Sequence, residues 1–277
     1  MNRADDRHGA AALEVRDLSV RYDTVTGVFV TALESVSLSV RSGEIHGLVG
    51  GSGSGKSSLI NAVLGLAPSA ARIDGEILLD GRTDLVSLSE REFRRMRGSQ
   101  IGYVGQDGPS SLHPLKTVWQ HFRAFYRAHR VPGARAEHRT LATEALARVG
   151  ITDPTATLTQ YPHQLSGGMA QRVVIALATS LSPRLLLADE PTSALDLTVQ
   201  RRVLDLLAGL RDTGTSMLLI THDLGVVAHY CDSVTVLHQG RVVEAGPVSE
   251  VFVRPTHDYT RGLLAGAASA RRDDHEG

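Results

Sequence analysis

The chain has 277 residues, of which 42% are hydrophobic and 21% are charged, and its formal net charge is −1 at pH 7. This length allows one large domain or two small ones with an ample core. The balanced charge argues against a nucleic-acid partner, and a single cysteine, Cys231, excludes an internal disulfide and a cysteine-based metal cluster.

The ends of the chain and its apolar runs do not indicate export or membrane insertion. The first residues, "MNRADDRHGAAALEV", are charged and lack the apolar region of a secretory signal. No apolar run approaches the ~18 residues of a membrane span. We therefore expect a soluble protein, with flexible ends at 1–11 and 268–277, that needs another chain to hold it at any membrane.

Short apolar runs alternate with helical patterns along the chain. The predicted strands lie, in order, at 12–22, 29–40, 44–50, 75–81, 100–106, 184–190, 216–223 and 233–246. Helices are predicted at about 55–66, over most of 107–182, and at 196–212. This alternation predicts an α/β fold in which helices cover both faces of a sheet, with antiparallel strands near the N-terminus and a helical insertion in the middle.

The strand at 44–50 leads directly into a glycine-rich loop that matches the phosphate-loop pattern G-x-x-x-x-G-K-[ST]. Glycines let the backbone amides approach phosphates closely, a lysine supplies a compact cation, and a serine hydroxyl suits Mg²⁺. A flexible glycine- and serine-rich loop is the alternative, and the flanking strand and helix argue against it. The predicted phosphate-binding residues are Gly50, Gly51, Ser52, Gly53, Ser54, Gly55, Lys56, Ser57 and Ser58.

Three later strands end in polar side chains suited to phosphate chemistry. Asp189 would hold Mg²⁺, and Glu190 would act as general base on a water molecule. Gln106 would orient water or touch Mg²⁺, and His222 would face the same sheet edge. For Asp189 and Glu190 the alternative is a solvated acidic strand end, and for His222 an ordinary loop histidine.

A second phosphate-type turn, Ser166-Gly167-Gly168, opens the predicted helix "MAQRVVIALATSL". Backbone N–H groups at a helix N-terminus favour an anion. An N-capped helix start without a ligand is the alternative. The sequence thus carries two phosphate-binding turns and no obvious second nucleotide domain.

In this order, the motifs resemble those of ABC transporter nucleotide-binding subunits, over about residues 12–265. The resemblance gives the following segments: a Walker A loop at 50–57, a Q-loop at Gln106, a signature at 165–173, Walker B at 185–189, a D-loop at 193–196 and an H-loop at His222. It implies a P-loop NTPase with a RecA-like core, an N-terminal antiparallel β subdomain and a helical subdomain at about 107–182. It places Tyr22 on the adenine, with Phe29 as a rival because the segment between them is long.

The resemblance also explains the second turn. In this family two cassettes face each other head to tail, so Ser166, Gly167 and Gly168 would bind the γ-phosphate of ATP held by the partner. It implies ATP and Mg²⁺, hydrolysis with Lys56, Gln106, Glu190 and His222 in the active site, and Mg²⁺ held by Ser57, Gln106 and Asp189. The expected partners are a second ATPase subunit, identical or paralogous, two membrane permease subunits and, indirectly, an extracytoplasmic substrate-binding protein, at the cytoplasmic face of the membrane.

Segments such as "QDGPSSLHP", "YPHQLSGGMAQRV" and "PTHDYT" are similar to the peptide and nickel importers of the family. We therefore expect uptake of peptides, with nickel or a metallophore as the alternative cargo. The chain departs from that group at Gly51, where an acidic residue is usual, and at Gly105, Gly108, His113 and Ala170. A soluble clamp ATPase is a less favoured class because tandem cassettes, long heptads and zinc cysteines are missing.

Overall fold

The computed structural model describes residues 11–23, 29–193 and 195–273, with the side chains of 268–273 left aside. The strands are β1 (Ala11–Asp23), β2 (Phe29–Arg41), β3 (Ile45–Val49), β4 (Ala71–Leu79), β5 (Thr83–Asp84), β6 (Ile101–Val104), β7 (Leu185–Asp189), β8 (Ser216–Ile220), β9 (Ser233–His238) and β10 (Arg241–Pro247). The α-helices are α1 (Lys56–Val63), α2 (Glu90–Met96), α3 (Val118–Ala128), α4 (Arg135–Arg148), α5 (Pro154–Thr157), α6 (Gly167–Thr179), α7 (Leu197–Arg211), α8 (Leu224–Tyr230), α9 (Val248–Val251) and α10 (Asp258–Asp273).

These elements form two compact units. Unit 1 combines the described residues up to Arg94 with those from Ser216 onward, and unit 2 runs from Arg95 to Thr215.

Unit 1 contains an antiparallel sheet in the order β2-β1-β4-β5. Along β1, buried side chains alternate with more exposed ones, and the buried ones include Leu13, Val15, Leu18 and Val20. The period of two shifts by one residue between Val15 and Leu18, and Asp17 in this gap has a φ of 46°. A bulge at this point keeps both halves of the long strand facing the core.

The second sheet of unit 1 carries the phosphate loop. Strand β3 pairs in parallel with β8 on one side and β9 on the other, and β10 runs antiparallel to β9. Every residue of β3 and of β8 is buried. Such continuous burial is typical of parallel strands that are covered on both faces.

Unit 2 pairs β6 and β7 in parallel, with Val104 opposite Ala188. Between Gly108 and Thr179, every described element is helical, namely α3 to α6 and two 3₁₀ segments at Gly108–Ser111 and Pro162–Gln164. Helix α6 is buried around most of its circumference, with Val173 and Ile175 fully buried on opposite sides. The helical character predicted for this stretch is confirmed.

Most predicted elements are present, with three corrections. Helix α1 ends at Val63 and not near 66, because Gly65 takes a left-handed φ of 59°. The segment 233–246 forms two strands joined at Gln239 and Gly240, both with positive φ. Sequence reasoning missed the helices α2, α8, α9 and α10 and the two-residue strand β5.

The predicted flexible ends differ partly from the structure. Residues 1–10 and 274–277 lie outside the described residues, but Ala11 belongs to β1 and residues 268–273 continue α10. Leu263, Leu264 and Ala267 pack this helix against a buried cluster that contains Val49 and Val248. No helix within the described ranges has both the length and the apolar character to span a bilayer.

Candidate functional site

The phosphate loop links β3 to α1 in unit 1, as predicted. Gly55 precedes the helix with a φ of 109°, and a Cβ there would lie 2.6 Å from the Ala32 carbonyl oxygen. A Cβ at Gly50 would clash with the Leu237 carbonyl oxygen. Both positions therefore require glycine, and their close packing fixes the loop as a cradle of backbone amides.

Lys56 turns back over the loop. Its Nζ donates to the carbonyl oxygens of Gly50 at 2.7 Å and Gly51 at 3.0 Å. The ammonium group is thus held above the cradle, where an incoming phosphate can replace these carbonyl acceptors. Ser57, the next residue, is exposed and offers its hydroxyl beside the loop.

Two further segments of unit 1 brace the loop, and sequence reasoning assigned a role to neither. The Gly240 amide, in the turn between β9 and β10, donates to the Ser54 carbonyl oxygen at 2.9 Å. The Gly51 amide donates to the Tyr259 hydroxyl at 2.8 Å. Tyr259 lies in the "PTHDYT" segment. In the sequence, only the similarity of this segment to the peptide and nickel importers drew attention to it.

The two aromatic candidates for adenine have different surroundings. The Tyr22 hydroxyl donates to Ser58 Oγ at 3.2 Å, which ties its ring to the first turn of α1. The Arg72 guanidinium lies 4.5 Å from the centroid of the Phe29 ring and covers one of its faces. Residues 24–28 between them lie outside the described residues. This arrangement favours Tyr22 as the stacking residue.

His222 lies at the same sheet edge as the phosphate loop. Leu48 of β3 is opposite Ile220 of β8, and Gly50 and His222 each lie two residues beyond their member of this pair. Parallel strands end at a common edge. His222 is exposed, which leaves its ring accessible to a ligand.

Unit 2 repeats this arrangement with Gln106 and Glu190. Val104 of β6 is opposite Ala188 of β7, and the side chains two residues later meet: Gln106 Nε2 donates to Glu190 Oε2 at 3.1 Å. Glu190 has a φ of 44°, an unusual value for a residue other than glycine. Such backbone outliers concentrate at functional sites.

Asp189 is the last residue of β7 and is half-buried. Burial of the Tyr103 side chain raises the pKa of its hydroxyl, and the negative charge of Asp189 raises this pKa further. Asp189 and the next residue, Glu190, thus stand at the carboxyl end of β7 in unit 2. Both are oxygen ligands of the kind that Mg²⁺ prefers.

Gln171 is a buried residue that sequence reasoning missed. It lies on α6, is 2% exposed, and its Nε2 donates to the Pro191 carbonyl oxygen at 2.6 Å. A Cβ at Gly108 would lie 2.6 Å from Gln171 Oε1. Gln171 therefore joins the helix of the signature turn to the segments that follow Gln106 and Glu190.

The signature turn has the predicted form. Ser166 caps the 13-residue helix α6, its Oγ accepting from the Met169 amide at 3.3 Å. Ser166 and Gly167 are exposed, and a Cβ at Gly168 would lie 2.5 Å from Val199 Cγ1 on α7. In the predicted D-loop, Asp196 caps α7, whereas Ala194 lies outside the described residues.

The residues of each unit fit part of what ATP and Mg²⁺ require. In unit 1 the loop offers a glycine cradle, the Lys56 amine and the Ser57 hydroxyl, and in unit 2 Asp189 offers a carboxylate. Within the described ranges, no group of three or more His, Cys, Asp or Glu side chains could hold a metal ion.

Comparison with known proteins identifies relatives over most of the chain. The family model described as "ABC transporter" matches residues 33–193. Relatives include the "Peptidoglycan transport ATP-binding protein YejF" of Agrobacterium fabrum, which is 47% identical over 91% of this chain and 46% of its own length. The "Probable peptide ABC transporter ATP-binding protein y4tR" of Sinorhizobium fredii is 45% identical over 94% of this chain and 78% of its own length. The "Oligopeptide transport ATP-binding protein OppD" of Bacillus subtilis is 44% identical over 91% and 71%, respectively.

Solved structures share the fold. A dimeric, post-hydrolysis structure of the ATP-binding cassette MJ0796, bound to ADP and Pi, aligns with a TM-score of 0.73 and 29% identity, covering 85% of this chain and 98% of that one. The cassette cbiO1 from Clostridium perfringens aligns with a TM-score of 0.74 and 32% identity, covering 88% and 92%, respectively.

Proposed function

Since the chain belongs to the ABC transporter family, whose ATP-binding subunits are ATPases, we propose that it drives uptake of peptides by hydrolysing ATP. The observation that carries this proposal is the pair of phosphate-type turns: a glycine cradle with Lys56 in unit 1, and an exposed, serine-capped helix start at Ser166 in unit 2. The relatives named for peptide and oligopeptide transport support the choice of cargo.

We assign the following roles to the predicted residues. The loop amides and Lys56 hold the phosphates, and Tyr22 stacks on the adenine. Ser57 and Asp189 hold Mg²⁺, with Gln106 as a further oxygen ligand, and His222 contacts the γ-phosphate. Bound Mg²⁺ supplies positive charge to the transferring phosphoryl oxygens.

Glu190 is the proposed general base. Its carboxylate would take a proton from the attacking water, as an oriented carboxylate within hydrogen-bond reach can. The Gln106 amide holds this carboxylate at 3.1 Å and so fixes its direction. The hydrogen bond thereby connects the base to the Q-loop, which faces the permease in the family.

Ser166, Gly167 and Gly168 would act on a second cassette. The backbone amides at this helix start, where Ser166 and Gly167 are exposed, suit the γ-phosphate of ATP held by the partner, which is why one chain carries two phosphate-type turns. ATP binding then joins the cassettes and hydrolysis releases them. The proposed partners are a second ATPase subunit, identical or paralogous, two permease subunits and, indirectly, a substrate-binding protein, at the cytoplasmic face of the membrane.

The test is the solution mass of the Glu190→Gln chain with and without MgATP, together with ATP hydrolysis by the unmodified chain. We expect hydrolysis, and conversion from monomer to dimer by MgATP in the variant. A chain that binds no ATP would refute the function. A chain that binds ATP but stays monomeric would refute pairing of identical subunits, and co-purification would then identify the paralogous ATPase and the permease.

A further inference from the structure

The peptide group between Gly50 and Gly51 is held at both of its polar atoms. Its carbonyl oxygen accepts from Lys56 Nζ at 2.7 Å, and its N–H donates to the Tyr259 hydroxyl at 2.8 Å. Hydrogen bonds in such a chain polarise one another. The position of the lysine and the position of the tyrosine are therefore linked through one peptide plane.

This peptide lies between two consecutive glycines, which lack the Cβ that restricts backbone rotation in other residues. A flip would turn the carbonyl away from Lys56. Gly51 has no positive φ, unlike Gly53 and Gly55. Space is the constraint at this position, since a Cβ would lie 3.0 Å from the Tyr259 hydroxyl.

Contacts of its ring and of the neighbouring backbone and helix fix the position of Tyr259. Its ring stacks on His238 with 3.8 Å between centroids and an interplanar angle of 27°. Glu244 accepts hydrogen bonds from the backbone amides of Thr256 at 2.7 Å and His257 at 3.1 Å. Helix α10 then packs Leu263 and Leu264 against the cluster around Val49. The hydroxyl thus reaches the loop from a rigid support.

We propose that Tyr259 is a positioning residue of the nucleotide site, which holds the Gly50–Gly51 peptide in the orientation that keeps Lys56 over the phosphate cradle. Gly51 is the residue that leaves room for it. The inference rests on the proposed binding of ATP. It gives the C-terminal segment Pro255–Thr260 a task in nucleotide binding that no sequence motif assigned to it.

The test is the affinity for ATP of the full chain carrying Glu190→Gln, measured by calorimetry, alone and with Tyr259→Phe, Gly51→Ala or both. Phenylalanine keeps the ring stack and removes the hydroxyl. We expect affinity to fall about two- to tenfold with Tyr259→Phe, the scale of one neutral hydrogen bond. Gly51→Ala should weaken binding while Tyr259 is present but cause no further loss in the Tyr259→Phe background, since the two residues share one contact.

Tyr230→Phe is the matched control, because this half-buried tyrosine contacts His229 edge-on, outside the loop. It should leave ATP affinity unchanged. In the chain with Glu190 intact, Tyr259→Phe should raise KM for ATP more than it lowers kcat. Equal affinity of the Tyr259→Phe variant and its parent, or strictly additive effects in the double variant, would overturn the inference. Loss of binding already in the parent would instead refute the proposed function.

Discussion

The Gln106 amide nitrogen lies 3.1 Å from the Glu190 carboxylate, at the ends of two paired parallel strands. The strand register produces this contact, because Val104 pairs with Ala188 and each of the two residues lies two positions after its member of that pair. A single hydrogen bond therefore connects the proposed general base with the segment that begins at Gln106.

Glu190→Gln should lower kcat for ATP hydrolysis by about 10²- to 10⁴-fold, the range for loss of a general base. ATP affinity should change little, because glutamine keeps the shape and the oxygen that accepts from Gln106. Steady-state hydrolysis and calorimetric titration of ATP measure the two effects. Glu250→Gln on α9, where the carboxylate is exposed, is the control; unchanged turnover in Glu190→Gln would remove Glu190 from the mechanism.

Lys56→Ala should abolish tight ATP binding, because the phosphates lose the ammonium group that Gly50 and Gly51 hold over the cradle. We expect a fall in affinity of at least about tenfold, since hydrogen bonds to charged groups are worth about twice neutral ones. The chain contains one other lysine, Lys116, which is exposed and outside the loop. Lys116→Ala should bind ATP normally, and equal behaviour of the two variants would contradict the assignment.

Mixing two inactive chains tests whether the signature turn acts across a dimer. Gly168→Asp places a side chain where a Cβ would already lie 2.5 Å from Val199 Cγ1, so the turn is disrupted. If identical chains pair, a mixture of Lys56→Ala and Gly168→Asp forms hybrids with one intact composite site. About a quarter of the normal hydrolysis should then return, given random pairing in a two-fold dimer. Mixed dimers without recovered hydrolysis would show that the turn does not act in trans.

Gln171→Leu should destabilise the protein by about 1–3 kcal/mol, because it leaves the Pro191 carbonyl buried without its partner. Urea unfolding measures the change. Gln200→Leu, on a half-buried position of α7, is the control and should alter stability much less. Equal changes in both variants would show that the contact with Pro191 contributes little.

The Glu244 carboxylate predicts a specific acid sensitivity. Desolvation opposes the shift, but hydrogen bonds from the Thr256 backbone and hydroxyl and from the His257 backbone lower the pKa of Glu244 to about 2. Because the pKa of Glu244 is lower in the folded protein, its ionised carboxylate stabilises the fold at pH values above the unfolded pKa near 4.5. This stabilisation is lost as the pH falls toward 2.

We therefore expect the stability difference between the unmodified chain and Glu244→Gln to be constant above about pH 5 and to shrink below it. Thermal unfolding midpoints between pH 7 and pH 3 measure this difference. Because other carboxylates titrate in both proteins, subtraction isolates Glu244. A difference that does not depend on pH would contradict the role of the charge, and Glu250→Gln supplies the baseline.

The sequence by itself determined the features that depend on local pattern. Alternating apolar and polar residues predicted the antiparallel strands, continuous apolar runs predicted β3 and β8, and fixed spacing predicted the phosphate loop around Lys56. It also placed Gln106 and Glu190 at strand ends, because a residue just beyond a parallel strand must lie at the edge of the sheet. The site roles and the domain limits at 12–265 stay predictions.

The tertiary structure alone decided which distant residues support those motifs. Tyr259 contacts Gly51 across 208 positions of the chain, and Gln171 reaches Pro191 across 20. Neither contact leaves a periodic or spacing signal, since each depends on how separate elements pack and on the space that glycine leaves. Local sequence patterns fix backbone conformation, whereas hydrogen bonds between separate elements exist only once those elements have packed.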